Sequence, residues 1–414
     1  MAAAWTFMVY MAGNNSLSDA AGVDLEEMRK VGSTDDVQVC VFVKRDDGKG
    51  AQRMIVRRDG DGETVDELGD VDSGDPQSVV DFARWATKEA PAERYALVLW
   101  NHGGGWRASD LEQLYSEVRG AAAAKSRDGR SEINVRAGQG VGRALFTTTV
   151  EKIISLPTRA QRDICADDGT GHSLDTIELG NVCRLLAKEL GRPLDLLGMD
   201  ACLMSNLEVA YEVRDEVGHI VGSEDVEPGA GWPYQTVLAD LNDNPSMDSR
   251  GLAEVVVKRY VESYKQDEGS WPVTQSAIAT DGIEPLSTAL DGLSGALRAE
   301  LDSGWPQLMS AQSNAVRFQF DLLDLATLCD GLEHSSLSQE TKSAATQVRS
   351  ALKPNGYVFA EGHLGDEVKG CAGVTAYLPA PTDTISPYYK DLTFSKRHHW
   401  DELLHDYGHA VSGG

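Results

Sequence analysis

Two short segments, one hundred residues apart, carry the residues with the most evident chemistry. "NHGGGW" (101–106) places His102 before three glycines, and "DACLM" (200–204) places Cys202 two residues after Asp200. A thiol that attacks a carbonyl carbon needs an imidazole to take its proton and backbone N–H groups to hold the oxyanion. Glycines leave the backbone bare, so that amides can approach a substrate closely. These residue types predict nucleophilic catalysis by Cys202 with His102 as the base.

Each segment follows an apolar run that has the character of a buried strand. "YALVLW" (95–100) precedes His102, and "LDLLGM" (194–199) precedes Cys202. Strands that are apolar throughout and alternate with helical patterns indicate a mainly parallel sheet covered on both faces. Ligands of such sheets bind beyond the carboxyl ends of the strands. We therefore predict an α/β fold in which both segments lie at one edge of the central sheet. Comparable runs occupy 6–12, 37–43 and 219–223.

The chain divides into two predicted units. Residues 1–244 form the catalytic domain, and 245–414 form a helix-rich C-terminal region with further strands. An insertion at 107–162 interrupts the first unit with ten Lys or Arg against six Asp or Glu, although the whole chain carries a formal charge of −27. An insertion of this length inside an α/β domain is usually functional or disordered. We interpret it as an activation linker.

Composition excludes several function classes. The charge of −27 over 414 residues lacks the basic footprint of a nucleic-acid binder. No apolar run approaches the roughly 20 residues that a bilayer span requires, so no membrane partner is predicted. The first residues are interpreted as a buried strand and not as a signal peptide. Two compartments agree with the sequence: the cytoplasm, or the outside of the cell after removal of a signal peptide.

The same segments resemble a known family. "NHGGGW" and "GMDACLM" are similar to the His-Gly and Ala-Cys signatures of caspase-like cysteine peptidases. The order of "FMVYMAGNNSL", "YALVLWNHGGGW", "DICADDGTGHSLDTIELGNV", "DLLGMDACLMSNLEVAYEVRD" and "EPGAGWPY" resembles the clostripain family in particular. The resemblance covers most of the chain except 107–162. It implies a caspase-like α/β/α sandwich, an endopeptidase with Arg or Lys at P1 (the residue before the cleaved bond), and activation by self-cleavage.

The resemblance also implies a role for individual positions. His102 matches the catalytic imidazole and Cys202 the nucleophile, while the N–H groups of Gly103 and Cys202 match the oxyanion hole. Asp200 matches an acid in the pocket for the P1 side chain, where a carboxylate would pair with a guanidinium or ammonium group. A structural alternative for Asp200 is a cap on the following helix.

Two positions depart from the family pattern. Relatives often carry an acid where this chain has Ala230, and Asp where it has Asn14. Basic P1 selectivity is then relaxed unless a nearby acid supplies the missing charge. The candidates for that charge are Glu224, Asp225 and Glu227. Asn14 is interpreted as a turn or cap position without a catalytic role.

The sequence requires no cofactor. Calcium dependence occurs in the family, but no EF-hand spacing is present, so a Ca²⁺ site would be assembled from dispersed acids. His398, His399 and His405 in the C-terminal tail are interpreted as solvated surface of a helix, and no metal site is assigned to them.

The insertion places cleavable bonds next to a peptidase that prefers basic residues. A tethered substrate has a high effective concentration. The alternative is a basic flap that neutralises an acidic surface. We expect a monomer or a self-cleaved two-fragment assembly, with peptide or protein substrates as partners. The candidate autocleavage residues are Lys125, Arg127 and Arg130, followed by Arg119 and Arg143.

Two other functions were weighed. An esterase of the α/β-hydrolase type also uses a His-Gly-Gly-Gly segment, but it needs a Gly-x-Ser-x-Gly elbow that this sequence lacks. The second alternative function is that of a catalytically silent binding module on the caspase-like scaffold. The presence of both His102 and Cys202 counts against it.

Overall fold

The computed structural model describes residues 2–63, 65–106, 173–265, 272–352, 356–386 and 388–413. Its centre is a nine-stranded sheet with the strand order β10-β8-β7-β6-β5-β1-β2-β3-β4, beside a two-stranded sheet of β11 and β9. The strands are β1 (Ala3–Gly13), β2 (Val37–Arg45), β3 (Ala51–Ile55), β4 (Val65–Gly69), β5 (Ala92–Trp100), β6 (Leu194–Asp200), β7 (Val217–Gly222), β8 (Val273–Ala279), β9 (Leu322–Asp324), β10 (Val358–Leu364) and β11 (Thr375–Tyr377).

The middle of the large sheet is parallel and its flanks are antiparallel. β7, β6, β5, β1 and β2 pair in parallel, whereas β3, β4, β8 and β10 pair antiparallel to their neighbours. Parallel neighbours need long crossovers, and the helices between the strands supply them. The predicted mainly parallel sheet is therefore confirmed.

Helices cover both faces of this sheet. α1, α5 and α6 pack on one face, and α2, α3 and α4 on the other. The helices are α1 (Ser18–Val31), α2 (Pro76–Glu89), α3 (Thr176–Leu190), α4 (Leu207–Val213), α5 (Tyr234–Asp243), α6 (Ser249–Tyr264), α7 (Ile283–Asn314), α8 (Leu325–Glu333), α9 (Gln339–Leu352), α10 (Thr393–Arg397) and α11 (Trp400–Gly413).

Strand β1 shows why two helical layers are needed. Trp5 and Val9 belong to the core on one face, whereas Met8 and Tyr10 belong to the core on the other. Because successive side chains of a strand point to opposite faces, an uninterrupted apolar strand is stable only when both faces are covered. The apolar run at 6–12 thus predicts the α/β/α layering that the structure has.

The C-terminal region builds on the same sheet. β8 and β10 extend the large sheet, while α7 packs against α8, α9 and α11. The predicted boundary near residue 245 falls between α5 and α6, and the division into two units stays a prediction. α7 runs through Pro306 to Asn314, although a proline inside a helix usually kinks or breaks it. Buried Leu308 and Ala311 hold the last turns against the core.

Two further points concern the limits of the chain. The described helices include none with the length and hydropathy that a bilayer span requires. The predicted insertion 107–162, including all five candidate autocleavage residues, lies outside the described residues.

Candidate active site

Parallel pairing of β5 with β6 brings the two chemical segments together. Trp100 lies opposite Asp200 in the register, and the N–H of Asn101 donates to the carbonyl oxygen of Asp200 at 3.4 Å. The chain leaves both strands at the same edge of the sheet. His102 and Cys202 therefore emerge next to each other, as the strand pattern predicts.

The backbones of Gly103 and Cys202 are in contact. A Cβ atom added to Gly103 would lie 1.9 Å from the carbonyl oxygen and 2.6 Å from the nitrogen of Cys202. Real side chains do not approach backbone atoms this closely, so only glycine fits at this position. The contact places the two N–H groups of the predicted oxyanion hole on adjoining chain segments.

The imidazole of His102 is held in a buried position at the end of β5. Its Nε2 atom lies 3.1 Å from the hydroxyl oxygen of Ser16, in the turn that follows β1. The side chain of Asn101 donates to the carbonyl oxygen of Ala12 and accepts from the side chain of Asn15 at 3.3 Å. The ends of β1, β5 and β6 are thereby joined around the ring, which is 2% exposed.

The thiol of Cys202 lies in a turn. The N–H of Glu227 donates to its Sγ atom at 3.3 Å, a contact that favours the thiolate. Leu203 has a φ of 63°, a conformation that is rare for a branched side chain and often marks a functional turn. The next helix begins only at Leu207, with Asn206 as its cap. The thiol therefore lies five residues before the helix, beyond the single turn over which a helix dipole acts.

Asp200 does not cap that helix, which excludes its structural alternative. Its Oδ2 atom accepts from the hydroxyl of Tyr234 at 2.9 Å and from the N–H of Trp232 at 3.4 Å. The carboxylate is fully buried. Buried charges are expected to be hydrogen-bonded or paired, and this one lies at the tip of β6, two residues before the thiol.

The three candidate acids of the loop after β7 take different positions. Glu227 is fully buried beside Cys202, and its Oε1 atom accepts from Gln275 at 3.2 Å. Glu224 instead accepts from the N–H of Gly373 at 3.1 Å, and the Asp225 side chain accepts from its own neighbour Val226. Of the three, Glu227 is thus the residue whose backbone contacts the thiol.

A tyrosine completes this acidic wall. Burial raises the pKa of the Tyr260 hydroxyl well above its usual range, and the charges of Glu227, Tyr264 and Asp200 raise it further. The Tyr260 hydroxyl thus lies within electrostatic range of both acids. Its oxygen has no hydrogen-bond partner in the described part of the chain, so it could accept a donor from a ligand.

Other predicted positions lie elsewhere. Asn14 is in the turn between β1 and α1, in agreement with the turn interpretation. The ring of His398 lies between Asp291 and Tyr211, at 2.8 and 2.9 Å, and α11 begins after it at Trp400. The interpretation of His398 as solvated helix surface is therefore wrong, because its ring is buried and precedes the tail helix. Within the described ranges, neither His398 nor His405 belongs to a group of potential metal ligands.

Two contacts of the site escaped the sequence interpretation. Ser16 was not predicted to touch His102, and Asn101 was not predicted to join three strand ends. The available signal was the turn "GNNS" after a predicted buried strand. These contacts could be inferred from that turn only with the strand order, which puts β1 next to β5.

The model of the clostripain family matches residues 9–125 and 155–407 of this chain. Among individual proteins, the clostripain of Hathewaya histolytica is 21% identical over 462 aligned residues. The alignment covers 95% of this chain and 78% of that protein.

Two solved structures have the same fold. A secreted cysteine protease from Bacteroides thetaiotaomicron, bound to an irreversible peptide inhibitor, superposes with a TM-score of 0.62 at 17% identity, covering 97% of this chain and 99% of that one. An inactive zymogen protease from Parabacteroides distasonis superposes with a TM-score of 0.63 at 18% identity, covering 96% and 98%. Both neighbours are cysteine proteases of the caspase-like fold.

The contact between Gly103 and Cys202 predicts the effect of a single methyl group. Gly103→Ala should lower the free energy of unfolding by about 1–3 kcal/mol, since the backbones must separate to admit the Cβ atom. Gly229→Ala is the control, because no atom lies within 4 Å of its added Cβ. Urea unfolding compares the two variants with wild type. Wild-type stability in Gly103→Ala would contradict the close contact.

Proposed function

This chain belongs to the clostripain family of cysteine peptidases, and from that premise we propose that it cleaves peptide bonds after arginine or lysine. The observation that carries the proposal is the pair of fully buried acids next to the thiol in the chain and in the fold: Asp200 lies two residues before Cys202, and the N–H of Glu227 donates to the thiol sulfur. A positive P1 side chain would offset the cost of keeping two negative charges out of water.

The reaction follows from the positions of two side chains and two amides. His102 takes the proton of Cys202, and the thiolate sulfur attacks the carbonyl carbon before the scissile bond. The N–H groups of Gly103 and Cys202 stabilise the oxyanion. His102 then gives the proton to the leaving amine as the C–N bond breaks. A water molecule, deprotonated by His102, hydrolyses the thioester and restores the thiol.

The proposed P1 pocket is lined by Asp200, Glu227 and Tyr260. Tyr234 and Gln275 hold the two carboxylates in place, at 2.9 and 3.2 Å. A guanidinium or ammonium group can donate to both acids and to the Tyr260 oxygen, and such charge-assisted bonds are the strong ones. Glu227 supplies the negative charge that relatives often carry at the position of Ala230. Ala230 itself is exposed.

Substrates that differ only at P1 test the specificity. Wild type should cleave after Arg and Lys and much more slowly after Gln. Glu227→Gln should lower kcat/KM for Arg substrates about 10- to 100-fold, since a hydrogen bond to a charged group contributes about 1.5–3 kcal/mol. Asp200→Asn should act in the same direction. The kcat/KM values of wild type and of the two variants are measured with fluorogenic peptides.

Asp225→Asn is the matched control from the same loop, because its side chain accepts only from Val226 in the described structure. It should keep the Arg preference of wild type. If wild type cleaves no basic substrate, the specificity is wrong. If only Glu227→Gln behaves as wild type, the second charge is not Glu227.

Ser16 is proposed as a positioning residue for His102. Ser16→Ala should lower kcat about 2- to 10-fold without a change in KM, because one neutral hydrogen bond contributes about 0.5–1.5 kcal/mol. Ser18→Ala is the control, since the Ser18 hydroxyl accepts from the N–H of Asp46 and does not bond the ring. Ser16→Thr should retain activity. A rise in KM with constant kcat would contradict the positioning role.

Self-cleavage within the insertion is the second part of the proposal. His102 and Cys202 are only 2% and 3% exposed, so a peptide reaches the sulfur only after part of the covering chain moves. A cut in a neighbouring segment is one way to permit that movement. The relative from Parabacteroides distasonis is described as an inactive zymogen, which supports such an activation step. The tethered Lys and Arg residues are the available substrates.

Electrophoresis of the purified chain tests this step. From a mass of 44.7 kDa, cleavage after residues 119–143 should yield fragments of about 13–16 kDa and about 30 kDa. Cys202→Ala should remain intact, and adding active enzyme to it separates cleavage within one chain from cleavage between chains. The triple variant Lys125→Ala, Arg127→Ala, Arg130→Ala should move the cut to Arg119 or Arg143. Equal fragmentation of wild type and Cys202→Ala would overturn self-cleavage.

A further inference from the structure

A second cluster of reactive side chains includes an acid from the loop that carries Glu227. The potential ligand atoms of Glu224, Asp324 and Cys371 all lie within 4.8 Å of one another, and all three residues are buried. They come from three separate segments: the loop after β7, the end of β9 and the loop before β11. No role in the peptidase reaction involves them.

The two carboxylates are held by backbone groups. Gly373 N–H donates to Glu224 Oε2 at 3.1 Å, and Ala372 N–H donates to Asp324 Oδ2 at 2.9 Å. The remaining Oε1 atom of Glu224 is buried and has no hydrogen-bond partner in the described structure. A buried carboxylate oxygen without a donor is costly, so this atom needs either a proton or a cation.

The charges around the cluster are negative. Burial raises the pKa of Glu224 well above its usual range, and the charge of Asp324 raises it further. Burial likewise raises the pKa of the Cys371 thiol, and the acids Glu224, Asp324 and Glu361 add to the increase. Among the described residues, no Lys, Arg or His forms an ion pair with Glu224 or Asp324. In the metal-free protein a proton held between the carboxyl groups of Glu224 and Asp324 offsets part of this charge, and a bound cation would displace it.

We propose that Glu224, Asp324 and Cys371 bind a divalent cation of the zinc class. Thiolate and carboxylate ligands together suit Zn²⁺, at about 2.3 Å for sulfur and about 2.0–2.2 Å for oxygen. Ca²⁺ and Mg²⁺ prefer ligand sets of oxygen atoms alone. Three protein ligands leave the fourth tetrahedral position to a water molecule. The thiol proton of Cys371 is released to the solvent as the metal–sulfur bond forms.

An access route to the cluster is present. A surface cavity of about 700 Å³ is lined by Glu361, Cys371 and Ala372, among other residues. The charged residues of its wall are mixed, with Glu254, Glu262 and Glu361 beside Lys258, Lys265 and Arg349, so the cavity can admit a small ion of either sign. Residues of the edge strand β10 form part of its lining.

A bound ion would cross-link three parts of the molecule. The peptide that follows Cys371 already bonds both acids, and it also contacts the turn after the nucleophile and β8, because the Gly373 carbonyl accepts from the hydroxyls of Ser205 and Ser276, both at 2.6 Å. Ser205 follows the nucleophile by three residues. The ion would therefore stabilise the loop of Glu224 and Glu227 against β9 and β11, and it should raise the melting temperature.

Cobalt titration of Cys202→Ala tests the site. This background is required because the proposed catalytic thiol and imidazole can themselves bind metals. One Co²⁺ per chain should bind with a near-ultraviolet thiolate-to-cobalt absorption band, and Zn²⁺ should displace it and raise the melting temperature. Because no peptidase activity is measured, the outcome is independent of the proposed function.

Variants assign the ligands. Cys371→Ser in the same background should lose the band, and Glu224→Gln should weaken binding at least about 10-fold. Cys183→Ser is the control, as another buried thiol outside the cluster. Circular dichroism establishes that the variants fold. If Cys371→Ser does not fold, the loss of affinity in Glu224→Gln still tests the site. Absence of Co²⁺ binding, or a band that persists in Cys371→Ser, would overturn the metal site.

Discussion

The parallel register of β5 on β6 is the constraint on which the candidate active site depends. Trp100 lies opposite Asp200, so the chain segments after both strands leave the sheet at the same level. A slip by one residue would turn every side chain of one strand to the other face. The imidazole and the thiol would then separate, and Gly103 would lose its contact with Cys202. The buried apolar residues on both faces of β5 and β6 fix this register, because the slip would leave them mispacked.

Buried acids are the second common feature of this edge of the sheet. Glu208 accepts from the N–H of Tyr377 and from the hydroxyl of Tyr389, and thereby joins α4 to the C-terminal region. Asp200 and Glu227 are held by neutral donors in the same manner. Neutral donors satisfy a carboxylate without neutralising it, which is the property that the proposed basic P1 side chain would use. The proposed metal site uses the same property at Glu224 and Asp324, which backbone N–H groups hold.

Much of the scaffold was predictable because apolar runs report burial directly. The strands predicted at 37–43, 95–100 and 194–199 lie within Val37–Arg45, Ala92–Trp100 and Leu194–Asp200. The clostripain resemblance and the caspase-like α/β fold are confirmed. The predictions were less accurate where tertiary packing outweighs local preference. α7 continues through Pro306, and the tail helix begins after His398 and His399, because buried neighbours and not local signals set these ends.

The sequence by itself determined the reactive groups: a histidine and a cysteine at the tips of two buried strands, bare glycines beside them, and acids within reach. These follow from residue type and periodicity, which are local properties. Only the tertiary structure decided which partners meet. Because β1 and β5 are adjacent strands, Ser16 reaches His102. The path of one loop brings the N–H of Glu227 to the thiol and the side chain of Glu224 to Cys371. Neighbouring residues of an irregular loop can point in opposite directions, and the segments packed against the loop, distant in the chain, determine which way each one points.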